Sequence, residues 1–200
     1  LTRRLEAVHD RHLDIHQHGV VVLALDPFHG FLSVGGLVDR NPLAAQQFHC
    51  LTQQRSIDTE PVWNHDGRTI IFTSDRSGSP QLYEVSVDGG KPKRITFEGR
   101  YNAAANLSPD GRYIAMVHSD RGQYKIAQLD RETGNLIVLT DSALDESPSF
   151  SPNGKMLLYA STRGNNGFLF AVSIDGRAKH KLSDQAGDIR EPVWGPFKSK

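Results

Sequence analysis

Four short polar pairs recur along the chain: Thr59 and Glu60, Asn102 and Ala103, Asp145 and Glu146, Arg190 and Glu191. They lie 43 to 45 residues apart, and a large apolar residue follows each within a few positions. Hydroxyl, amide, carboxylate and guanidinium groups gathered round one rim would form a polar docking ring. Three of the carboxylates, Glu60, Asp145 and Glu146, are also the hard oxygen donors that suit Ca²⁺. The plainer reading is that the pairs are solvated loop residues or cap their own strands. A second grouping is His9, His12, His16 and His18. His12 and His16 would share a helix face, as zinc ligands do. No Glu follows His12 directly and no cysteine pair supports the set, so it reads as a polar segment. We assign no metal and no cofactor. The sequence contains no Gly-x-Ser-x-Gly elbow, so no serine hydrolase nucleophile is assigned and no residue is called catalytic.

The elements that must carry these pairs are short strands. Trp63, Leu107, Phe150 and Trp194 are spaced by 43 to 44 residues, each just ahead of a turn such as Asp66-Gly67, Asp110-Gly111 or Asn153-Gly154. Apolar runs alternate with turn signals through each copy, as in 69–73, 81–85 and 93–96 of the first. A period of this length built from strands is the signature of β-propeller blades. The fold expected is therefore all-β: about three four-stranded blades over 56–200, with the start of a fourth. The Gly-bearing turns are expected to be two-residue hairpins, and Trp63 and Phe150 to pack between blades. In this frame Thr59, Glu60, Asn102, Asp145, Glu146, Arg190 and Glu191 fall where inner strands begin, beside the central channel. Ser74-Asp75-Arg76 and Ser119-Asp120-Arg121 are expected to fix loop backbone.

The bulk numbers narrow the function. Lys plus Arg and Asp plus Glu are both 23, a formal net charge of zero. Nucleic-acid binding and polybasic membrane attachment both call for a basic excess, so neither is expected. No run of 18 apolar residues predicts a membrane span, and no signal peptide is read at the start. The single cysteine, Cys50, rules out an internal disulfide and leaves the compartment open. Residues 1–55 hold six of the nine histidines and no copy of the repeat. They are read as an unassigned His-rich segment, non-native to the propeller and dispensable to it.

Several stretches resemble one family closely. They include Phe72-Thr73-Ser74-Asp75-Arg76-Ser77-Gly78-Ser79-Pro80-Gln81-Leu82-Tyr83, Asp145-Glu146-Ser147-Pro148-Ser149-Phe150-Ser151-Pro152-Asn153-Gly154 and the ending Pro192-Val193-Trp194-Gly195-Pro196-Phe197. Together they resemble the C-terminal propeller of the TolB family, the periplasmic component of the Tol–Pal system, over roughly 56–197. The resemblance implies a six-bladed propeller without enzymatic activity that binds the Pal lipoprotein and other Tol–Pal components. It also implies a periplasmic parent protein with roles in outer-membrane integrity and in constriction at cell division. Two rival expectations stand beside it. One is an accessory propeller of a prolyl-oligopeptidase-like serine peptidase. The other is a fragment without function.

Overall fold

The computed structural model describes residues 56–164, 166–183 and 189–195. The histidine grouping and the segment boundary near residue 55 lie outside the described residues. Within them the chain is all-β. The first sheet holds β1 (Asp58–Trp63), β2 (Thr69–Ser74), β3 (Gln81–Ser86) and β4 (Lys93–Arg94). The second holds β5 (Tyr101–Leu107), β6 (Tyr113–Ser119), β7 (Lys125–Asp130) and β8 (Leu136–Val138). The third holds β9 (Asp145–Phe150), β10 (Met156–Arg163), β11 (Asn166–Ser173) and β12 (Lys179–Lys181). Each sheet keeps its strands in chain order, all antiparallel. These are three propeller blades in succession, as the repeat predicts.

The stacking of the blades follows from the alternation of side chains along a strand. Ile71 and Leu82 leave one face of the first sheet and join Ala105, Ile114, Met116, Ala127 and Leu129 of the second in one buried cluster. Residues of the opposite parity in the second sheet, Ala115, Val117 and Ile126, meet Phe150, Leu157, Tyr159 and Val172 of the third. A slip of one residue would reverse every one of these faces. Each fully buried Ile or Leu contributes about 1.5–3 kcal/mol, so the core strongly fixes the register. Phe150 lies in the cluster between the second and third blades, as expected. Trp63 does not follow it: 38% of its surface is exposed and it joins none of the three core clusters.

The Gly-bearing turns also differ from the expectation. Trp63 pairs with Ile70, and Asn64 N–H donates to Thr69 O at 2.9 Å, so the loop is four residues long. Gly67 N–H closes a turn onto Asn64 O at 3.0 Å, and Gly67 has φ +63°. The glycine therefore ends a longer loop instead of forming a two-residue hairpin. Asp66 Oδ1 stands in for the missing ladder by accepting from Arg68 N–H and Thr69 N–H, at 2.7 and 2.9 Å. Asp110 and Asn153 occupy the matching places in the next two blades and accept from Arg112 N–H and Lys155 N–H, both at 3.1 Å.

The outer strands are only two or three residues long. A hydroxyl side chain just beyond each extends the pairing. Thr96 Oγ1 accepts from Leu82 N–H, Thr140 Oγ1 from Ile126 N–H and Ser183 Oγ from Leu169 N–H, each at 2.9 Å. These three bonds give one amide of each third strand an acceptor beyond the end of its short outer neighbour.

Candidate functional site

Every inner strand carries one irregularity at the same place. The ladder register shifts between Thr59 and Val62, between Ala103 and Asn106, and opposite Leu158 and Ala160. In each blade one non-glycine residue takes a positive φ there: Glu60 (52°), Ala104 (54°) and Ser147 (54°). Glu191 repeats it at 48°, where the fourth copy begins. An L-residue in this region costs about 1–2 kcal/mol. Four residues held there at one spacing mark a bulge that re-aims the strand ends.

The bulge sets the true register of the polar pairs. Thr59, Ala103, Glu146 and Arg190 each precede a positive-φ residue and form one row. Asp58, Asn102 and Asp145 form the row before it. The sequence spacing groups Asn102 and Asp145 with Thr59, one residue out of step. The two rows have different surroundings. In the first row Thr59 and Arg190 are exposed, Glu146 is half-buried and Ala103 is buried, and Glu60 and Glu191 at the bulge itself are exposed. Asn102 and Asp145 are 0% exposed and Asp58 is 2% exposed, so this row presents no side chain to a partner.

The buried row ties each blade's mouth together, with different chemistry in each blade. In the first, Asp58 Oδ2 pairs with Arg76 Nη2 at 2.8 Å, and Arg76 Nε donates to Ser74 Oγ at 2.8 Å. Ser56 Oγ donates to the other carboxylate oxygen at 3.1 Å. In the second, Asn102 Nδ2 donates to Gln81 Oε1 (2.9 Å) and Glu98 O (2.8 Å), and Asn102 Oδ1 lies 2.9 Å from His118 Nδ1. Because Asn102 Oδ1 only accepts, the imidazole carries its proton on Nδ1. Burial lowers the His118 pKa below its ordinary value, against the opposing fields of Asp120 and Glu98. Gly99, at φ +72°, is needed beside this ring, since a Cβ there would fall 2.4 Å from His118 Cε1. In the third, Ser142 Oγ donates to Asp145 Oδ2 at 2.8 Å. The amide Asn102, the imidazole His118 and the glutamine Gln81 join the first two blades, which no motif in the sequence announces.

The inner strands are stitched from blade to blade. Glu60 Oε2 accepts from Thr73 Oγ1 at 3.0 Å and reaches across to Ala104 N–H at 2.8 Å. Asn106 Oδ1 accepts from Phe150 N–H at 2.9 Å, and Ser149 Oγ from Trp194 N–H at 3.4 Å. Adjacent inner strands are thereby linked by side chains of one strand and amides of the next. Large apolar residues stand just outside the buried row. Ile57 is 67% exposed and Leu144 40% exposed, with Tyr101 half-buried between them in sequence. Tyr101 and Tyr124 meet edge to face at 5.1 Å, and burial followed by the Glu60 carboxylate raises the Tyr101 pKa. Ser-Asp-Arg fixes loop backbone in the first blade, where Asp75 Oδ1 accepts from Ile57 N–H at 2.8 Å. In the second blade Asp120 and Arg121 are exposed and meet each other at 3.8 Å. Among the described residues no three His, Cys, Asp or Glu side chains gather to hold a metal ion. No described helix is long and apolar enough to cross a membrane.

Comparison with known proteins gives a consistent result. A Tol-Pal system protein TolB of Xanthomonas campestris is 46% identical over 118 residues, which cover 58% of this chain and 27% of that protein. The chain therefore spans about a quarter of the length of such curated relatives. The crystal structure of TolB from Acinetobacter baumannii superposes with a TM-score of 0.69 at 47% identity, over 78% of this chain and 39% of that one. A putative TolB from Agrobacterium tumefaciens shares the fold, with a TM-score of 0.64 at 23% identity, over 80% and 59% of the two chains. The model of the TolB beta propeller domain matches residues 41–198, and on that match the chain belongs to the TolB β-propeller family.

Proposed function

We propose that this chain contributes blades to a non-enzymatic, protein-binding propeller of the Tol–Pal system. The partner in this reading is the Pal lipoprotein, met in the periplasm, in support of outer-membrane integrity and envelope constriction at division. The docking surface is the rim row of Thr59, Glu60, Glu146, Arg190 and Glu191, flanked by Ile57, Tyr101 and Leu144. The observation that carries the reading is the bulge repeated at Glu60, Ala104, Ser147 and Glu191. It spends backbone strain at one rim of every blade, where polar and apolar groups from separate blades reach solvent together. A docking surface gains from such a layout, because one partner touches several blades at once and binding energy concentrates in a few central residues.

Asn102 and Asp145 serve this surface from beneath, as the buried row that holds its shape. Glu60 has two duties, since its carboxylate also links the first and second blades. The clean test is therefore Glu146→Ala, with Arg190→Ala as a second rim variant. Both are made in a chimera that carries residues 56–195 in the matching region of Acinetobacter TolB, and titrated with the soluble domain of Pal by calorimetry. We expect each to weaken binding about tenfold or more, a loss of about 1.4 kcal/mol. Unchanged affinity in both, with loss on Lys93→Ala or Arg94→Ala in the outer strand, would move the site to the circumference.

A further inference from the structure

The buried mouth row leaves one unmatched position. Across the ladder, Asp58 faces Ser74, Asn102 faces His118 and Asp145 faces Ser161. Asp145 and Ser161 are 0% and 1% exposed. Asp145 Oδ1 and Ser161 Oγ have no hydrogen-bond partner among the described residues. A buried carboxylate oxygen and a buried hydroxyl left unmatched at one spot are costly, because both have given up water. The first blade shows what this pair of groups accepts. There one guanidinium bonds both the aspartate and the serine, through Arg76.

The third blade carries the same parts. Arg163 follows Ser161 by two residues, as Arg76 follows Ser74. Tyr159 and Phe170 occupy the places of Phe72 and Tyr83; Arg76 lies over both rings of its pair and Arg163 over Phe170. Arg76 Cζ is 4.9 Å from the Tyr83 ring centroid while it bonds Asp58. Arg163 Cζ is 5.1 Å from the Phe170 centroid. The arginine thus stands on the equivalent ring at an equivalent distance, two residues beyond Ser161 on the same strand. We propose that Asp145 and Ser161 form a guanidinium seat whose occupant is Arg163, so that the third blade closes with the latch that Arg76 makes in the first. The structure holds the open position, with Arg163 on Phe170 and exposed. Closing it buries one positive charge and satisfies the two buried oxygens. This latch does not depend on which partner the rim binds.

The test is proton exchange at the arginine side chain, by NMR of the full 200-residue chain labelled with ¹⁵N. The Arg163 Nε–H signal is identified by its disappearance in Arg163→Lys. We expect it to exchange with water about tenfold or more slowly than free arginine, as a hydrogen-bonded group does. Asp145→Asn should return it to the free rate, whereas Asp141→Asn, at the exposed partner of Lys179, should leave it slow. Should Asp145→Asn fail to fold, Ser161→Ala removes the other half of the seat and is expected to speed the exchange. A free-arginine rate in the parent chain, as a water-bridged Asp145 would give, overturns the proposal. So does a slow rate that neither seat variant changes.

Discussion

At the scale of single residues, the turn carboxylates give the chain an acid sensitivity that can be located. The Asp66 pKa is lowered chiefly by the backbone N–H of Arg68, and the Asp110 pKa by the hydroxyl of Ser108, joined by the N–H of Arg112. The Asp175 pKa is lowered by Ser173 and Arg177 in the same way. A folded-state pKa below the ordinary 3.8 means that the charged form favours folding. That stabilisation is complete above the ordinary value and is lost as pH falls through the depressed one. Asn153 makes the equivalent bonds without a titrating group, to Ser151 Oγ at 2.8 Å and Lys155 N–H at 3.1 Å. Asp110→Asn is therefore expected to fold at neutral pH with little change in Tm and to lose less stability on acidification than the parent. Melting curves from pH 7 down to about pH 3 check this, since carboxylates release their protons near 4. An acid dependence as steep as the parent's would show that these turns do not carry it.

The strands and their bulges are where sequence and structure part company most usefully. The blades themselves were legible because a 43- to 44-residue period and alternating apolar residues leave little freedom once both faces are buried. The turn loops differ from the two-residue hairpins expected of them, because Asp-Gly suits both a short hairpin and a longer loop. The mouth row lies one residue out of step with the sequence spacing for a sharper reason. A bulge inserts a residue into the strand without any residue type that signals it, and here it falls on Glu, Ala, Ser and Glu. Glycine, the usual mark of positive φ, is absent from all four positions. That absence makes the strain testable. Ala104→Gly removes the Cβ that its φ of 54° disfavours while keeping the amide that donates to Glu60. We expect it to stabilise the folded chain by about 1 kcal/mol, read as a shift in urea midpoint at constant slope. Destabilisation would mean that the packing of the Ala104 methyl beside the second core outweighs the strain.

For the whole molecule, the proposed working surface of this TolB-family propeller is the mouth rim, formed by equivalent strand ends of successive blades. The hydrogen bonds buried beneath that rim differ from blade to blade: an Asp–Arg pair, an Asn–His–Gln network, an aspartate with an unmatched oxygen. The bulge above them is the same each time. Sameness of geometry over varied support is what a surface kept for contact requires, whereas the outer strands are short and lie far along each sheet from the inner ones. The direct measurement is hydrogen exchange followed by mass spectrometry, on this chain with and without the soluble domain of Pal. Slowed exchange on binding is expected in peptides covering 57–60, 101–104, 144–147 and 189–191, with 93–94, 136–138 and 179–181 unchanged. Protection confined to those outer strands, with the four strand starts unaffected, would contradict the rim as the working surface.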